Sequence, residues 1–386
     1  MKNFCIKFFL LSFLLLNLTI AANSKNQSLR IGAILPLTGD YQELGNKILK
    51  TFELTIFELS NVDVTLIPFD NNSTEAGTRF AFKELQTQKV DIVLGPIFMK
   101  NLLSIVQEEN FSKYIFISLS NNNIGLPNNV ISFGVNLDSQ ILALRSTIND
   151  KNKKKIFFAD NSEFSMNVLK KIEEIKIPLS AKYKYSNFDE INEKAKMATS
   201  YNYRHKKLLD LIAELKKSDN SSDQAKVKSL EKKDTLEGVS YQQVIVPLFD
   251  DDLISVVSFF DYYDVNYKDA AFVTLNQWFN QKLLLEPSLQ NIIFPSINYS
   301  NFQELNKKLK ENYNIEISNI EILAYDIIPL LVSSWYDKKN DFFSTDDFIG
   351  KEFRGKSGIF KINNQNYVDR KLDLYQIKNK SFVKIN

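Results

Sequence analysis

The chain has 386 residues, and its 48 Lys and Arg nearly balance its 46 Asp and Glu, which leaves a formal net charge of +2. This balance gives no electrostatic reason to expect nucleic acid or an acidic membrane surface as a partner. The length exceeds the roughly 100 to 200 residues of a typical domain, so it favours two domains.

The first residues have the pattern of a secretory signal peptide. Lys2 and Lys7 flank the start of an apolar run over residues 8–16, and Ala21 and Ala22 follow as cleavage positions. We predict a signal peptide over residues 1–22 and a periplasmic location. The alternative is an uncleaved anchor, because no position gives a clean Ala-x-Ala cleavage site.

The only cysteine is Cys5, which precedes the apolar run instead of ending it. This position does not match a lipobox, so no lipid anchor is predicted. Removal of the signal peptide leaves a mature chain without cysteine. Disulfides, thiol nucleophiles and thiolate metal sites are then excluded together.

Apolar runs and helical stripes alternate from residue 30 to residue 149. The run 30–35 is typical of a strand buried on both faces, and an apolar stripe at helical spacing follows it over residues 41–59. The same reading predicts strands at 62–67, 91–94, 114–118 and 130–135, and helices at 75–86, 99–109 and 139–149. Such alternation favours a parallel sheet with helices on both faces.

A second series of alternating strands and helices begins at residue 155, which we interpret as the beginning of a second lobe. The predicted strands are 155–159, 243–247 and 270–274, and the predicted helices are 163–174 and 252–262. The chain is then predicted to cross back to the first lobe near 292–297, where helices 302–312 and 320–335 complete that lobe. A stretch rich in Lys and Glu predicts two further helices, separated at 218–222. The final apolar runs, 358–362, 372–377 and 382–385, predict a β meander.

These elements predict an α/β protein of two Rossmann-like lobes, each built on a parallel sheet. We expect residues 28–140 and 296–352 to form the first lobe. Residues 141–295 and 353–386 are expected to form the second lobe, with a helical insertion at 189–237.

One segment matches the spacing of a nucleotide-binding P-loop, Gly350-Lys-Glu-Phe-Arg-Gly-Lys-Ser357. A P-loop needs a buried strand before the glycines and a helix after them, because the loop amides and the helix N-terminus hold the phosphates. Here residues 345–348 are polar, and residues 358–362 alternate like a strand. The sequence therefore predicts a turn and not a nucleotide site.

No other pattern predicts catalysis. His205 is the only histidine, lies among cations and is predicted to be a solvated helix residue with no nucleophile or orienting group beside it. The acidic residues 250–252 follow a predicted strand and suit a helix N-terminus. The basic run 151–155 is predicted to be an exposed turn. We predict no enzyme activity, no cofactor and no metal.

The functional candidates are loops at the carboxyl ends of the first-lobe strands, because open parallel sheets bind ligands outside those ends. The candidate cleft residues are Thr38, Asp70, Ile97, Phe98, Ser118, Ser120 and Asn121. Their hydroxyls and amides suit a small polar ligand. The alternative role of such Ser, Thr, Asn and Asp side chains is to cap helices.

Three early segments together resemble a known family. Arg30-Ile-Gly-Ala-Ile-Leu-Pro-Leu-Thr-Gly39, the loop at 69–71 and Ile92-Val-Leu-Gly-Pro96 are similar to the start of type I periplasmic binding proteins of the leucine-binding group. Within that superfamily the chain looks most like a short form of the penicillin-binding-protein activator branch. Insertion 192–237, Leu323-Ala-Tyr-Asp326 and Phe353-Arg-Gly-Lys-Ser-Gly-Ile-Phe360 carry this second likeness.

The resemblance implies two lobes joined by three hinge crossings, and a non-enzymatic regulator that activates a peptidoglycan synthase, a penicillin-binding protein, through protein contacts. Leucine-type binders instead hold an amino acid at a Ser-rich segment, which here is Pro96-Ile97-Phe98-Met99. The alternative is a solute-binding receptor for an amino acid or related small polar ligand, working with the permease of an ABC transporter.

Overall fold

A computed structural model describes residues 28–60, 62–122, 125–338 and 342–385. The predicted signal peptide lies outside these residues. In the part of the chain that is described, no helix combines the length and the apolar character needed to cross a membrane.

The first sheet has five strands, and each strand pairs in parallel with its neighbours in the sheet. Its spatial order is β2-β1-β3-β4-β5. The strands are β1 (Leu29–Leu35), β2 (Val64–Asp70), β3 (Ile92–Leu94), β4 (Phe116–Ser118) and β5 (Val130–Ser132). Ile31 pairs with Leu66 on one side and with Ile92 on the other, so β1 lies inside the sheet, where its apolar run is buried.

Three helices cover this sheet: α1 (Gln42–Glu58), α2 (Glu75–Gln86) and α3 (Met99–Leu103). Thr74 caps α2 by accepting a hydrogen bond from the Gly77 amide at 2.9 Å. Helix α3 is shorter than the predicted 99–109. Ile105 and Val106 donate to carbonyls three residues back, so the chain tightens into turns after Leu103.

The second sheet has seven strands in the order β15-β14-β10-β9-β8-β6-β7. Its strands are β6 (Lys155–Asp160), β7 (Ala181–Tyr185), β8 (Gln243–Ile245), β9 (Ala271–Val273), β10 (Ile293–Ser296), β14 (Asp373–Lys378) and β15 (Ser381–Lys384). β6 to β10 are parallel, whereas β14 and β15 join antiparallel at one edge. Helices α4 (Leu137–Ile148), α5 (Glu163–Glu174) and α9 (Asp250–Tyr262) accompany this sheet.

The predicted insertion forms three helices where the sequence analysis predicted two, and that prediction was wrong. They are α6 (Phe188–Ala198), α7 (Tyr201–Leu215) and α8 (Ser221–Leu230). The break that was not predicted falls at Ser200, between α6 and α7. Its φ of 52° lies in the left-handed region, so the chain leaves the helical conformation there. The break at residues 218–222 is close to the observed gap between α7 and α8.

The predicted C-terminal meander is confirmed for its last two runs, which pair antiparallel, and is wrong for the first run, 358–362. Helices α10 (Tyr299–Tyr313) and α11 (Asn319–Asp337) lead to a separate antiparallel sheet of β11 (Glu352–Gly355), β12 (Gly358–Ile362) and β13 (Val368–Arg370). The run 358–362 pairs within this small sheet, whereas the last two runs pair in the second sheet. Within 350–357, residues 352–355 form β11 and residues 356–357 turn into β12, so the predicted turn is shorter than expected and a strand, not a helix, follows it.

The architecture is α/β with two largely parallel sheets, as predicted. A continuous apolar cluster includes Ile117 of the first sheet, Phe294 of the second and Ile328 of α11. Helix α11 packs against α1. The limits of the two lobes remain a prediction.

Candidate functional site

A cavity of about 820 Å³ lies where loops from the carboxyl ends of both sheets meet. One wall comes from the residues that follow β3, β4 and β5, and the facing wall comes from the residues that follow β8 and β9. The first half of α10, the loop that follows α10 and the start of α11 line a third side. This placement follows the general rule for parallel sheets, in which the carboxyl ends of the strands border the crevice.

Four of the predicted cleft residues line the cavity together. Ile97 and Phe98 follow β3, and Ser120 and Asn121 follow β4. The Ser120 hydroxyl accepts a hydrogen bond from the Asn122 amide at 3.1 Å, while the Asn121 side chain is exposed. The first-sheet wall thus presents one aromatic ring and a small polar loop. Their use in ligand binding remains a prediction.

Thr38 and Asp70 do not line the cavity. Asp70 accepts hydrogen bonds from the Thr38 hydroxyl at 2.6 Å and from the amides of Leu37 at 2.9 Å and Asn72 at 2.8 Å. Burial alone would raise the pKa of Asp70, but these bonds outweigh it and hold the pKa below its ordinary value. The carboxylate therefore closes its own loop, and the expectation of a cleft position is corrected for both residues.

Ser118 also lies behind the cavity wall. It is fully buried, and its hydroxyl donates to the Pro96 carbonyl at 2.6 Å and accepts from the Ser120 amide at 3.3 Å. Ser118 therefore connects the loop after β3 with the loop after β4. Its place is structural, which corrects the expectation that it faces a ligand.

The second-sheet wall was missed by the sequence analysis. It is made of Phe249 and Asp250 at the start of α9, and of the residues 276–280 after β9. Asp250 accepts a hydrogen bond from the Asn280 side chain at 2.5 Å, which joins the two loops. The signal was available, because the rule applied to the ends of the first-lobe strands applies equally to β8 and β9.

Two consecutive bulky residues of this wall, Trp278 and Phe279, adopt left-handed backbone angles, with φ of 49° and 53°. This conformation costs roughly 1–2 kcal/mol for each non-glycine residue. Packing offsets it, since the Phe279 ring centroid lies 4.4 Å from that of Tyr299 and 4.9 Å from that of Tyr375. The amide of Trp278 also donates to the Asn276 side chain at 3.1 Å. Trp278 is thereby held, partly exposed, at the cavity.

The charge of the lining is one-sided. Its ionisable side chains are Asp250 and Glu316, and no Lys, Arg or His belongs to the described lining. Glu316 forms an ion pair with Lys310 at 3.3 Å. Aromatic and amide side chains make up much of the remainder, so the cavity is suited to a flat or apolar body that also makes hydrogen bonds.

A buried polar cluster fixes the elements beside this cavity. Asp326 of α11 accepts hydrogen bonds from the amides of Lys356 at 2.6 Å and Ser357 at 2.8 Å. Arg370 donates to the Ser357 hydroxyl at 2.6 Å and to the Phe133 carbonyl at 2.8 Å. Burial lowers the pKa of the Arg370 guanidinium to about 10, and nearby Asp326 opposes the shift. Two of the three segments that carried the likeness to the activator branch, 323–326 and 353–360, therefore meet each other at this cluster.

The described residues assemble no group of three or more His, Cys, Asp or Glu side chains that could hold a metal ion. His205 lies on α7 with its Nδ1 2.6 Å from the Asp234 carbonyl oxygen, and it does not line the cavity. The cavity provides shape, aromatic faces and hydrogen-bonding groups. What this arrangement can do chemically is hold a small molecule.

Comparison with known proteins yields solved structures but no match to a family model and no match to a curated sequence. A putative branched-chain amino acid ABC transporter protein from Rhodospirillum rubrum shares 10% identity, with 93% of this chain and 100% of that chain covered and a TM-score of 0.67. LivJ, a branched-chain amino acid transporter substrate-binding protein from Streptococcus pneumoniae in complex with isoleucine, shares 18% identity, covers 93% and 100%, and has a TM-score of 0.57.

A third similar structure is the C-domain of LpoA from Haemophilus influenzae, a regulator of PBP1A, with 14% identity, 92% and 100% coverage and a TM-score of 0.59. These likenesses establish the class of fold. The chain has the fold of a type I periplasmic binding protein, as predicted. The similar structures include both transporter binding proteins and a regulator.

Proposed function

We propose that the chain is a non-enzymatic binding protein that takes a small molecule into the cavity between its two sheets. The observation that carries the proposal is the cavity itself, whose volume of about 820 Å³ is within the roughly 300–1,000 Å³ of small-molecule sites. Its walls bring Phe98 and Asn121 of one sheet opposite Trp278 and Asn280 of the other. A ligand is thus contacted from both sides.

The proposed role is that of a solute-binding receptor for an ABC transporter. Support comes from the fold shared with a branched-chain amino acid transporter protein and with LivJ bound to isoleucine. We further propose that the chain is exported and that residues 1–22 are removed. N-terminal sequencing of the exported protein is expected to show a start just after Ala21 or Ala22.

Thermal unfolding of the purified mature protein against a panel of amino acids, sugars, amines and small acids tests this proposal. A compound that binds only the folded state, present at a concentration 100 times its Kd, stabilises the folded protein by about 2.7 kcal/mol. A clear rise in Tm is therefore expected with at least one compound. Failure of the whole panel at millimolar concentration would contradict a receptor role.

A matched pair of variants localises the binding. Phe249 is 38% exposed and lines the cavity, whereas Phe80 is 65% exposed and lies on α2 outside it. We expect Phe249→Ala to reduce the ligand-induced rise in Tm and Phe80→Ala to leave it unchanged. Equal effects of the two substitutions would show that the ligand binds elsewhere.

A second candidate function is that of an activator of a peptidoglycan synthase, acting through protein contacts. The observation that favours it is a group of exposed aromatic side chains on and beside the insertion helices, Phe188, Tyr203 and Tyr262, which are 62%, 64% and 74% exposed. Exposed aromatic residues are enriched where proteins bind proteins. The shared fold with the LpoA C-domain gives further support.

The activator role is tested by adding the protein to a purified penicillin-binding protein from the same cell envelope and measuring glycan polymerisation and cross-linking. A rise in rate that Tyr203→Ala with Tyr262→Ala abolishes, and that Phe80→Ala preserves, is the expected result. An unchanged rate together with no synthase recovered by affinity capture would reject this function.

A further inference from the structure

We propose that the cavity selects an organic cation, an amine or quaternary ammonium group carried on an apolar body, over the corresponding carboxylate. This inference rests on the proposed function only in that it requires the cavity to bind a small molecule. It concerns the chemistry of the ligand, which the fold does not determine.

The first argument is the charge of the described lining. Lys and Arg make up 48 of the 386 residues, yet none of those that the structure describes lines the cavity, where the charged side chains are Asp250 and Glu316. Lys310 already pairs with Glu316, whereas Asp250 has its hydrogen bond from Asn280 and no cation of the described chain within ion-pairing distance. A ligand carboxylate would be repelled there, and a ligand cation would be attracted.

Helix N-termini do not reverse this preference. The starts of α9 and α11 both border the cavity, and such ends attract anions. The first turn of α9 contains Asp250, Asp251 and Asp252, and the first turn of α11 contains the buried Glu321. The partial positive charge of both ends therefore already faces carboxylates of the chain itself.

Aromatic faces supply the second argument. Phe98, Phe249, Trp278 and Phe302 line the cavity from four different segments. The negative face of an aromatic ring attracts an ammonium group within about 6 Å by roughly 0.5–2 kcal/mol, and Trp is the strongest partner. The same rings pack against an apolar body, so one set of side chains fits both parts of the ligand.

Gln277 adds a buried acceptor without a partner to the cavity wall. This lining residue is 4% exposed, and its amide nitrogen donates to the Leu248 carbonyl at 2.8 Å. Its Oε1, in contrast, accepts no hydrogen bond from the described residues. A buried acceptor without a partner costs about 1–3 kcal/mol. A ligand N–H or O–H that reaches this oxygen would satisfy it and a carboxylate would not, so Gln277 disfavours an anion and does not distinguish an amine from an alcohol.

Three probes with one body and different head groups test the inference on the mature protein at pH 7: 2-phenylethylamine, 2-phenylethanol and phenylacetate. Calorimetric titration is expected to give a Kd for the amine at least tenfold below that of the alcohol, with no detectable binding of phenylacetate. Binding of phenylacetate as tight as that of the amine would overturn the inference. An alcohol that binds as well as the amine would overturn it too.

Asp250→Asn removes the charge and keeps the size, and Asn tolerates the left-handed φ of 45° found at this position. We expect this substitution to raise the Kd of the amine about tenfold and to leave the Kd of the alcohol unchanged. Added salt should then weaken amine binding less in the variant than in the wild type. Asp251→Asn, one residue along and outside the lining, is the matched control with little expected effect. Equal weakening by both variants would contradict a specific role for Asp250.

The outcomes separate this inference from the proposed function. If no phenyl probe binds but another compound of the panel raises the Tm, the receptor proposal stands and the cation preference is wrong. If neither the probes nor the panel bind, both fail.

Discussion

Gly355 is the point at which the turn between β11 and β12 meets α11. A Cβ added there would lie 2.3 Å from Cγ of Asp326. The carboxylate of Asp326 is held by the amides of Lys356 and Ser357 and cannot move aside without losing both bonds. We therefore expect Gly355→Ala to destabilise the protein by about 1–3 kcal/mol, measured as a lower midpoint of urea unfolding.

Gly238 is the matched control for this substitution. No atom lies within 4 Å of the position that its Cβ would take, and its φ is not in the left-handed region. Gly238→Ala is expected to leave the urea midpoint almost unchanged. Equal loss of stability in the two variants would mean that the contact between Gly355 and Asp326 does not constrain the turn.

Glu321 predicts a pH dependence of stability. It is fully buried in the first turn of α11, and burial raises its pKa above the ordinary value of 4.5 although the Ser318 hydroxyl donates to it at 2.7 Å. The folded chain therefore keeps this proton to a higher pH than the unfolded chain. The stability that Glu321 provides is complete below pH 4.5 and is lost as the pH rises through the folded pKa.

Glu321→Gln removes this loss, because the amide stays neutral. The expected result is a Tm above that of the wild type at pH 8, with the difference shrinking or reversing at pH 4. Glu84→Gln, on the exposed face of α2, is the control. Its Tm is expected to differ from that of the wild type by the same amount at pH 8 and at pH 4. A constant difference for Glu321→Gln would contradict the assignment.

At the scale of elements, the insertion helices depend on one buried cation. Arg204 of α7 is 4% exposed and donates to the Asp264 carbonyl at 2.9 Å, the Thr235 hydroxyl at 2.7 Å and the Glu237 carbonyl at 3.1 Å. These bonds join α7 to the segment after α8 and to the end of α9. Removal of the side chain leaves several buried acceptors without a donor.

We expect Arg204→Ala to speed amide hydrogen exchange across residues 188–237 by tenfold or more, while strands β1 and β3 of the first sheet keep their protection. Lys206→Ala, on an exposed position of the same helix, is the control and should leave exchange unchanged. Uniformly faster exchange over the whole chain would show that Arg204 supports global stability and does not dock the insertion.

The elements with strong periodicity were predicted well, and those defined by distant contacts were not. Helix 163–174 was predicted with its observed bounds, because its apolar stripe and the Ser162 cap are local. The break at Ser200 has no glycine or proline to mark it. The pairing of β12 with β11 and β13, and not with β14, depends on which edge is free in three dimensions, and strand periodicity does not contain that information.

At the scale of the molecule, half of the cavity could be predicted. The loops after β3 and β4 were found because strand ends border the crevice of a parallel sheet, and Ile97, Phe98, Ser120 and Asn121 are there. Thr38, Asp70 and Ser118 were misplaced, since a strand end specifies the loop but not which polar atoms already have partners. The wall from the second sheet follows the same rule at the ends of β8 and β9, which the prediction did not include.

The two tryptophans offer a test of whether this cavity is open in solution. Trp278 lines it and is partly exposed, whereas Trp335 on α11 is 3% exposed beneath the Lys338 ammonium, which lies 3.4 Å from its ring centroid. Trp335→Phe leaves Trp278 as the only tryptophan, and Trp278→Phe leaves Trp335.

Acrylamide is expected to quench the fluorescence of Trp335→Phe several-fold more strongly than that of Trp278→Phe, because only Trp278 borders a space that a small solute can enter. Circular dichroism of both variants checks that they are folded. Equally weak quenching of the two would mean that the lobes close over Trp278 in solution. A ligand would then enter only after the lobes separate, and the rate of that opening would limit the rate of binding.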